Sequence, residues 1–507
     1  MILEEIRHLM HLRYLKIKKE TLNMPPRFLN NFYHLQYIIH EGSNCLVHSN
    51  GDDFLPSDIN NLRYLKLTND YISSIFGIGK LKSLQELPRF YLRDMIGYRI
   101  GELENMNDLR ILGIYNLENV KDAEEACSAK LRAKTRLTDL TLCWSNTHSR
   151  NIDLDENVLN NLQPKYCLRN LSIWNYIGAR SAIWMYTVHL IFYLEKVKLA
   201  NCLEWETLPP FGQLPFLKSL ELSNMPKVKW LESKFNGNDK YRAFPLLEVL
   251  HITKLKALED WFEAGVAAED ACLFPCLIDL VLHKCPKLKE LPSLPPNLKS
   301  LRIEKTGWTT LNFYSNSNPI PLETLKVSDC QKITSLHLAD ETARLNALRY
   351  LTIKNCPNLI SLGEMQSTNN CHLILSCLSI SDPSVLLMEP LRSIDSLEML
   401  SIMENDELVS FPNEAEQWFL RVGSSLSNLE FAKLESLQSF PSSLESLSSL
   451  QILSFCAVLM LRELPNLPPS LKTLRIWGCH PELKERYRRI AGSDWNKIAH
   501  IPRIHIL

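Results

Sequence analysis

Apolar residues along this chain fall into one recurring phrase, L-x-x-L-x-[LIVF], whose first, fourth and sixth places are hydrophobic and whose remaining places are mostly polar. It begins at Leu12, Leu62, Leu109, Leu137, Leu168, Leu194, Leu217, Leu247, Leu277, Leu298, Leu322, Leu348, Leu375, Leu397, Leu426, Leu450 and Leu471, with degenerate copies at Leu35 and Leu84. Alternation from the fourth to the sixth place is the period of a strand with one face buried, so each phrase predicts a short strand. From Leu12 to Leu471 there are 18 steps over 459 residues, a mean of about 25.5.

That period lies within the roughly 20 to 29 residues of leucine-rich repeats. One unit cannot bury its own leucines; units stacked side by side bury each row against the next, at roughly 1.5 to 3 kcal/mol per fully buried leucine. The expected fold is α/β: a curved leucine-rich-repeat solenoid with a parallel sheet on its concave face and an irregular, short-helix convex side. About 19 irregular repeats would fill residues 1–480, and a capping segment would occupy 481–507.

Two stretches, CPKLKELPSLPPNLKSLRI from Cys285 and LRELPNLPPSLKTLRIWGCHP from Leu461, share a Cys-Pro or Leu-Pro step beside the phrase. Eight residues after the first leucine stand Cys202, Cys285, Cys330, Cys356, Cys479 and Asn405. The strand turns away there, and the residue must be small and able to reach the backbone of the adjacent coil. Pro286 and Pro357 follow where no further ladder donor is needed. A structural role therefore outweighs a metal site, since no Cys-x-x-Cys pair completes a zinc shell; the pairs His8 with His11, Cys272 with Cys276, and Cys371 with His372 are isolated. The segment from Asp122, DAEEACSAKLRAK, carries capping-box spacing and alanines, which predict a convex-side helix. Segments 259–273 and 412–425 are inserts in long units, expected as surface loops or short helices.

Charge adds little: 56 basic against 57 acidic residues gives no global field for nucleic acid or anionic membrane. Glu4, Glu5 and Arg7 interrupt what a signal peptide would keep apolar, and the longest uncharged apolar run, 181–194, is shorter than the about 20 residues of a spanning helix. A cytoplasmic or nuclear protein with mostly reduced cysteines is expected. GIGK, Gly77 to Lys80, resembles half of a phosphate loop, but Ser74 and Leu81 stand where Gly and Ser/Thr are needed. No cofactor, metal site or catalytic signature is predicted. In ELKERYRRIAG, Leu483, Tyr487, Ile490 and Ala491 share one helical face, which favours a cap over a basic nucleic-acid patch.

With the leucines inward, the third, fifth and seventh places face the concave surface. Those places supply a candidate partner face: Trp174, Lys196, Lys198, His251, Arg302, Lys326, Tyr350, Lys354, Arg475 and Trp477. Arg302 and Lys326 hold the same place in adjacent repeats and should lie about 5 Å apart, which favours an acidic partner. A solvated face without a partner is the alternative.

The runs GIGKLKSLQEL (77–87), IGELENMNDLRILGIYNLENVKDAEEA (100–126), LTDLTLCW (137–144), LPPFGQLPFLKSLELSNM (208–225) and CHPELKERYRRIAGSDWNKIAHIPRI (479–504) resemble the repeat region of plant coiled-coil, nucleotide-binding, leucine-rich-repeat disease-resistance proteins, particularly those of grasses. The resemblance implies a sensor module of an intracellular immune receptor, whose partner is a pathogen effector, a guarded host protein or a nucleotide-binding receptor. Nothing here matches the family's nucleotide-binding domain, so ATP or ADP is not carried over. Competing readings are a stand-alone repeat scaffold, a ubiquitin-ligase adaptor, which would need about 40 helical residues before the first repeat, and a truncated, non-functional fragment.

Overall fold

The computed structural model describes residues 9, 11–17, 32–40, 61–66, 76–146, 150–232, 243–262, 274–291, 294–313, 320–338, 345–363 and 373–506. Each of the nineteen phrases forms a strand that starts two residues after its first leucine. The rule holds for the degenerate copies too, at Tyr37–His40 and Glu86–Tyr91. The chain divides into two compact units, Met1–Val249 with Lys254–Ala271, and Leu250–Thr253 with Cys272–Leu507.

In the first unit the parallel ladder runs from Tyr14–Ile17 through Tyr37–His40, Tyr64–Lys66, Glu86–Tyr91, Ile111–Tyr115, Asp139–Cys143, Asn170–Trp174 and Lys196–Ala200 to Ser219–Ser223. In the second it runs from Asp279–His283 through Ser300–Glu304, Thr324–Ser328, Tyr350–Lys354, Cys377–Ile380, Met399–Met403, Asn428–Ala432 and Ile452–Cys456 to Thr473–Trp477. The ladder does not stop there: Arg503–Ile506 pairs in parallel with Thr473–Trp477. Its phrase, Ile501-x-x-Ile504-x-Ile506, carries isoleucine in every apolar place. Each unit is a leucine-rich-repeat ladder.

Register keeps like places together. Leu280, Leu301, Leu325 and Leu351 are successive partners, as are Leu282, Ile303, Val327 and Ile353, and all are buried. The inward columns thus form the core, and the odd places face solvent. Connectors are short. Asp122 accepts the Glu125 N–H at 2.8 Å and caps a helix of five residues, Ala123–Cys127, which ends before Lys130 turns left-handed. The 412–425 insert contains a ten-residue helix, Asn413–Val422, whose Ala415, Trp418, Phe419 and Val422 are buried. It belongs to the core more than an insert at the surface would. In the 259–273 insert Asp260–Phe262 is a strand paired in parallel with Trp230–Glu232, where a loop or short helix was expected, and residues 263–273 lie outside the described residues.

A second regularity sits one place beyond the strands. Asn116, Asn175, Asn201, Asn224, Lys254, Lys284, Lys305, Asp329, Asn355, Glu404, Lys433 and Ala457 all have φ between 47° and 63°, and each is the seventh residue after its first leucine. Their N–H groups point along the ladder: Asn201 donates to Ser223 O at 2.8 Å, Lys284 to Glu304 O at 2.8 Å and Asp329 to Lys354 O at 2.9 Å. The left-handed bend costs roughly 1 to 2 kcal/mol for an L-residue, and a repeated backbone hydrogen bond offsets it. Close approach of coils also fixes Gly307, where a Cβ would meet Pro286 O at 1.9 Å.

Candidate functional site

The turn after each strand carries the cysteines. Cys202, Cys285, Cys330 and Cys479 are buried, and each aims its thiol at the sixth-place carbonyl of the preceding repeat: Ile173, Ile252, Ile303 and Phe455, at 3.7 to 3.9 Å. Asn405 reaches one place further along the preceding repeat, donating to Ser381 O at 3.0 Å while accepting the N–H groups of Glu407 and Leu408. The four buried thiols also touch the seventh-place carbonyl of their own strand, at 3.3 to 3.6 Å, and Cys356 makes that contact too, to Lys354 O at 3.2 Å. Burial raises the thiol pKa of Cys202 to about 12, so it is no nucleophile. Among the described residues no three His, Cys, Asp or Glu side chains gather as a metal site would require. His8, Cys272, Cys371 and His372 lie outside those residues.

The phosphate-loop fragment is occupied by the protein itself. Gly77 is left-handed and Ile78–Lys80 is a single turn of 3-10 helix. The Gly79 N–H, which would face a phosphate, donates to the Glu102 carboxylate at 3.0 Å. Ser74 is outside the described residues.

The candidate partner residues all lie on the solvent face of the strands, in three clusters. In the first unit Trp174, Lys196 and Lys198 sit on adjacent strands, with Lys198 Nζ 5.5 Å from the Trp174 ring centroid and 2.7 Å from Glu221. In the second, Arg302 and Lys326 are direct register partners, as their shared place requires, and Tyr350, 53% exposed, stands on the next strand. His251 gives its ring nitrogen to Asp279 at 2.8 Å. Lys354 is drawn over the sheet, its Nζ 2.7 Å from Met403 Sδ and 3.9 Å from Glu404. Arg475 and Trp477, the latter 40% exposed, lie five strands on, about 24 Å from Tyr350–Lys354.

Carboxylates share this face, and a reading confined to cations and aromatics passes over them. Asp139, Glu221, Asp279, Glu304 and Glu430 occupy third, fifth or seventh places, so the same count finds them. The His251 hydrogen bond, with help from Ser300 and Arg302, holds the Asp279 carboxyl below the usual range against the opposing pull of burial. Glu304 in turn pairs with His283 at 3.2 Å. Arg302 therefore stands between acidic neighbours, and the face is a mosaic with a cationic step at Arg302–Lys326.

In the C-terminal segment Leu483 and Tyr487 are buried, but Ile490 is 83% exposed at φ 67° and Ala491 is also exposed. The expected four-residue face breaks because helix Pro481–Arg486 ends there. The Arg486 carbonyl accepts the Asp494 N–H at 3.0 Å, and the two side chains pair at 3.0 Å, which turns the chain back. Among the described residues no helix is long and apolar enough to cross a membrane.

Comparison with known proteins agrees with the ladder. A family model described as R13L1/DRL21 LRRs matches residues 100–225. Putative disease resistance RPP13-like protein 1 of Arabidopsis thaliana is 30% identical over 319 residues, 55% of this chain and 30% of that protein. Disease resistance protein RGA2 of Solanum bulbocastanum is 29% identical over 290 residues, 56% of this chain and 27% of that protein. The chain thus spans under a third of the length of these relatives. Among solved structures, that of the TLR13–ssRNA13 complex covers 99% of this chain and 79% of its own at 16% identity and a TM-score of 0.49. The chain has a leucine-rich-repeat fold, carries a leucine-rich-repeat family match over residues 100–225, and is similar over about half its length to plant disease-resistance proteins.

Proposed function

We propose that the chain is a non-enzymatic protein-recognition module of a plant intracellular immune receptor, acting in the cytoplasm or nucleus, and that its solvent-facing strands engage a pathogen effector or a guarded host protein. The observation that carries this reading is the exposed Tyr350 beside the Arg302–Lys326 step. An aromatic anchor beside adjacent cations is the composition of binding hot spots. The acidic neighbours Asp279 and Glu304 narrow the partner: it presents a local acidic group opposite Arg302 and Lys326 within a mixed surface. The similarity to disease-resistance proteins supports the receptor setting.

The test is capture of candidate effectors and host proteins by the folded chain, followed by charge reversal of Arg302 and Lys326 together and, separately, Tyr350→Ala. Each change is expected to weaken capture of a genuine partner at least tenfold with melting unchanged. Capture indifferent to both would remove this cluster and leave Arg475 and Trp477 as the next surface. Titration calorimetry with ATP and ADP is expected to show no binding; saturable micromolar heat would contradict the reading of Gly79 and Glu102.

A further inference from the structure

Of the cysteines that stand eight residues after a first leucine, only Cys330 and Cys356 occupy consecutive repeats, those of Leu322 and Leu348. Their strands are in register, with Ser328 opposite Lys354. The coils stay stacked beyond the strands: Asp329 donates its N–H to Lys354 O at 2.9 Å, and the Asn355 amide donates to the Asp329 carboxylate at 3.1 Å. Asp329 and Asn355 share the left-handed bend, at φ 52° and 47°, so both coils leave their strands in the same direction. The Cα atoms of the two cysteines therefore stand about one strand spacing apart, roughly 5 Å, inside the roughly 4.4 to 6.8 Å that a disulfide bridges. Both thiols are free.

The side chains use that proximity. Cys202, Cys285, Cys330 and Cys479 reach the preceding coil at its sixth-place carbonyl, whereas Cys356 reaches it at Cys330, with a hydrogen bond between the two thiols and the Cys330 N–H on its sulfur. On its other side Cys330 has the Thr306 hydroxyl at 3.6 Å. The Cys356 hydrogen bond, helped by Thr306, pulls the Cys330 thiol below its usual range against the opposing pull of burial, and the same bond raises Cys356. The pair thus gives up one proton readily and shares the other. Cys330 is buried and Cys356 is half-buried, so a small oxidant meets Cys356 first.

We propose that Cys330 and Cys356 are a modification site, an oxidisable pair that hydrogen peroxide converts to a disulfide joining two neighbouring repeats. The shared proton settles on Cys330 and leaves the thiolate at Cys356. That sulfur attacks one peroxide oxygen: an S–O bond forms, the O–O bond breaks, and hydroxide leaves with the electron pair. The Cys330 sulfur then attacks the sulfenic sulfur, its proton departs with the hydroxyl as water, and the S–S bond closes. The two sulfurs have lost two electrons, and the peroxide ends as hydroxide and water. The strands so tied, Thr324–Ser328 and Tyr350–Lys354, carry Lys326 and Tyr350. Oxidation of the pair is independent of what that face binds, and either reading can fail without the other.

The test treats the full folded chain with hydrogen peroxide, blocks the remaining thiols with an alkylating reagent and maps the peptides by mass spectrometry without reduction. A peptide pair cross-linked through Cys330 and Cys356 is expected, at least tenfold more abundant than any other cysteine pair and lost on adding dithiothreitol. The same treatment in urea is expected to lower its share at least tenfold, which tests the folded geometry without altering a residue. Cys356→Ser should leave Cys330 free for the alkylating reagent, and Cys330→Ser should let Cys356 run on to sulfinic acid for want of a resolving thiol, with melting curves checked alongside. Free thiols at both positions after peroxide, a bridge from either to another cysteine, sulfinic acid at Cys356 in the unaltered chain, or an equal yield from folded and unfolded chain would each overturn the proposal.

Discussion

The bend after the strands is built in two ways, and the contrast shows what the repeat requires. At Asn175, Asn201 and Asn224 the side chains form a ladder of their own: Asn201 donates to the Asn175 amide oxygen at 3.0 Å, Asn224 to that of Asn201 at 2.9 Å, and Asn175 to Trp144 O at 2.8 Å. At Lys284, Lys305 and Asp329 the same left-handed backbone occurs with charged side chains, and Lys305 meets Asp329 at 3.6 Å in an exposed pair. Asn175 and Asn201 donate their main-chain N–H to Ala200 O and Ser223 O, as Lys284, Lys305 and Asp329 do to Glu304 O, Ser328 O and Lys354 O. The backbone bond is therefore common to both stretches. The asparagine ladder is an addition that suits αL geometry, since asparagine tolerates it better than most residues.

The strongest way to break the comparison is to show that the two stretches do not share one kind of core. Leu199→Asp beside the asparagines and Leu325→Asp beside the lysines each bury an unpaired charge at a fully covered place, and each should cost several kcal/mol and melt neighbouring repeats as well. A melting temperature unchanged in either variant would refute the core assignment for that stretch. A smaller effect separates the residues after the bend. Asn405→Ala removes three hydrogen bonds and should cost about 2 to 3 kcal/mol, while Cys285→Ala, losing weak thiol contacts to Ile252 O and His283 O and little volume, should cost about 1 kcal/mol in urea unfolding. Equal losses would mean that packing, rather than reach to the previous coil, governs the position.

Glycine sharpens the contrast further. Lys284→Gly relieves an αL bend without losing a side-chain ladder and should stabilise by about 1 kcal/mol, whereas Asn201→Gly gives up two amide bonds and should gain nothing. A gain at Asn201 would show the asparagine ladder to be energetically idle. The smallest effect is a pH slope of opposite sign in two carboxylates. Burial raises Asp155 to about 6 despite Arg150, so its contribution is full below the ordinary value of 3.8 and is lost as pH rises through about 6. Asp279 is lowered, first by its His251 hydrogen bond, so its contribution is present above 3.8 and is lost as pH falls through the lowered value. Melting between pH 3 and 7 should lose a falling component in Asp155→Asn and a rising one in Asp279→Asn; slopes unchanged in both would contradict these environments.

The leucine period placed a strand at each of its nineteen phrases, because burial of one face leaves little freedom in register. Arg503–Ile506 escaped because Ile501 stands where leucine was required, a substitution that burial does not distinguish, and the short pairs Trp230–Glu232 with Asp260–Phe262 and Thr310–Leu311 with Ser335–Leu336 escaped because they lie outside the phrase. The bend escaped for a different reason. It is a backbone property, served here by Asn, Lys, Asp, Glu and Ala alike, so no residue type marks it. Alternation accounts for the solvent-facing side of these residues. Their electrostatic setting was missed because the count kept cations and aromatics alone: Asp279 stands on the strand before Arg302, Glu304 on its own strand, and Met403 two strands beyond Lys354. The Ile490 face failed because a tertiary bond from Asp494 captured the carbonyl that a longer helix would need.

The shared register has a consequence for heredity. Because every repeat offers its neighbour the same columns and the same bend, an unequal genetic exchange that removes residues 298–321 joins the Leu277 phrase to the Leu322 phrase with each column still aligned. Such an exchange would delete Arg302 and place Lys326 directly beside Val281 and the Asp279–His283 strand. Whole surfaces can thus be recombined while the core is conserved, and variation in such a lineage should be read in repeat-sized blocks as much as in single substitutions.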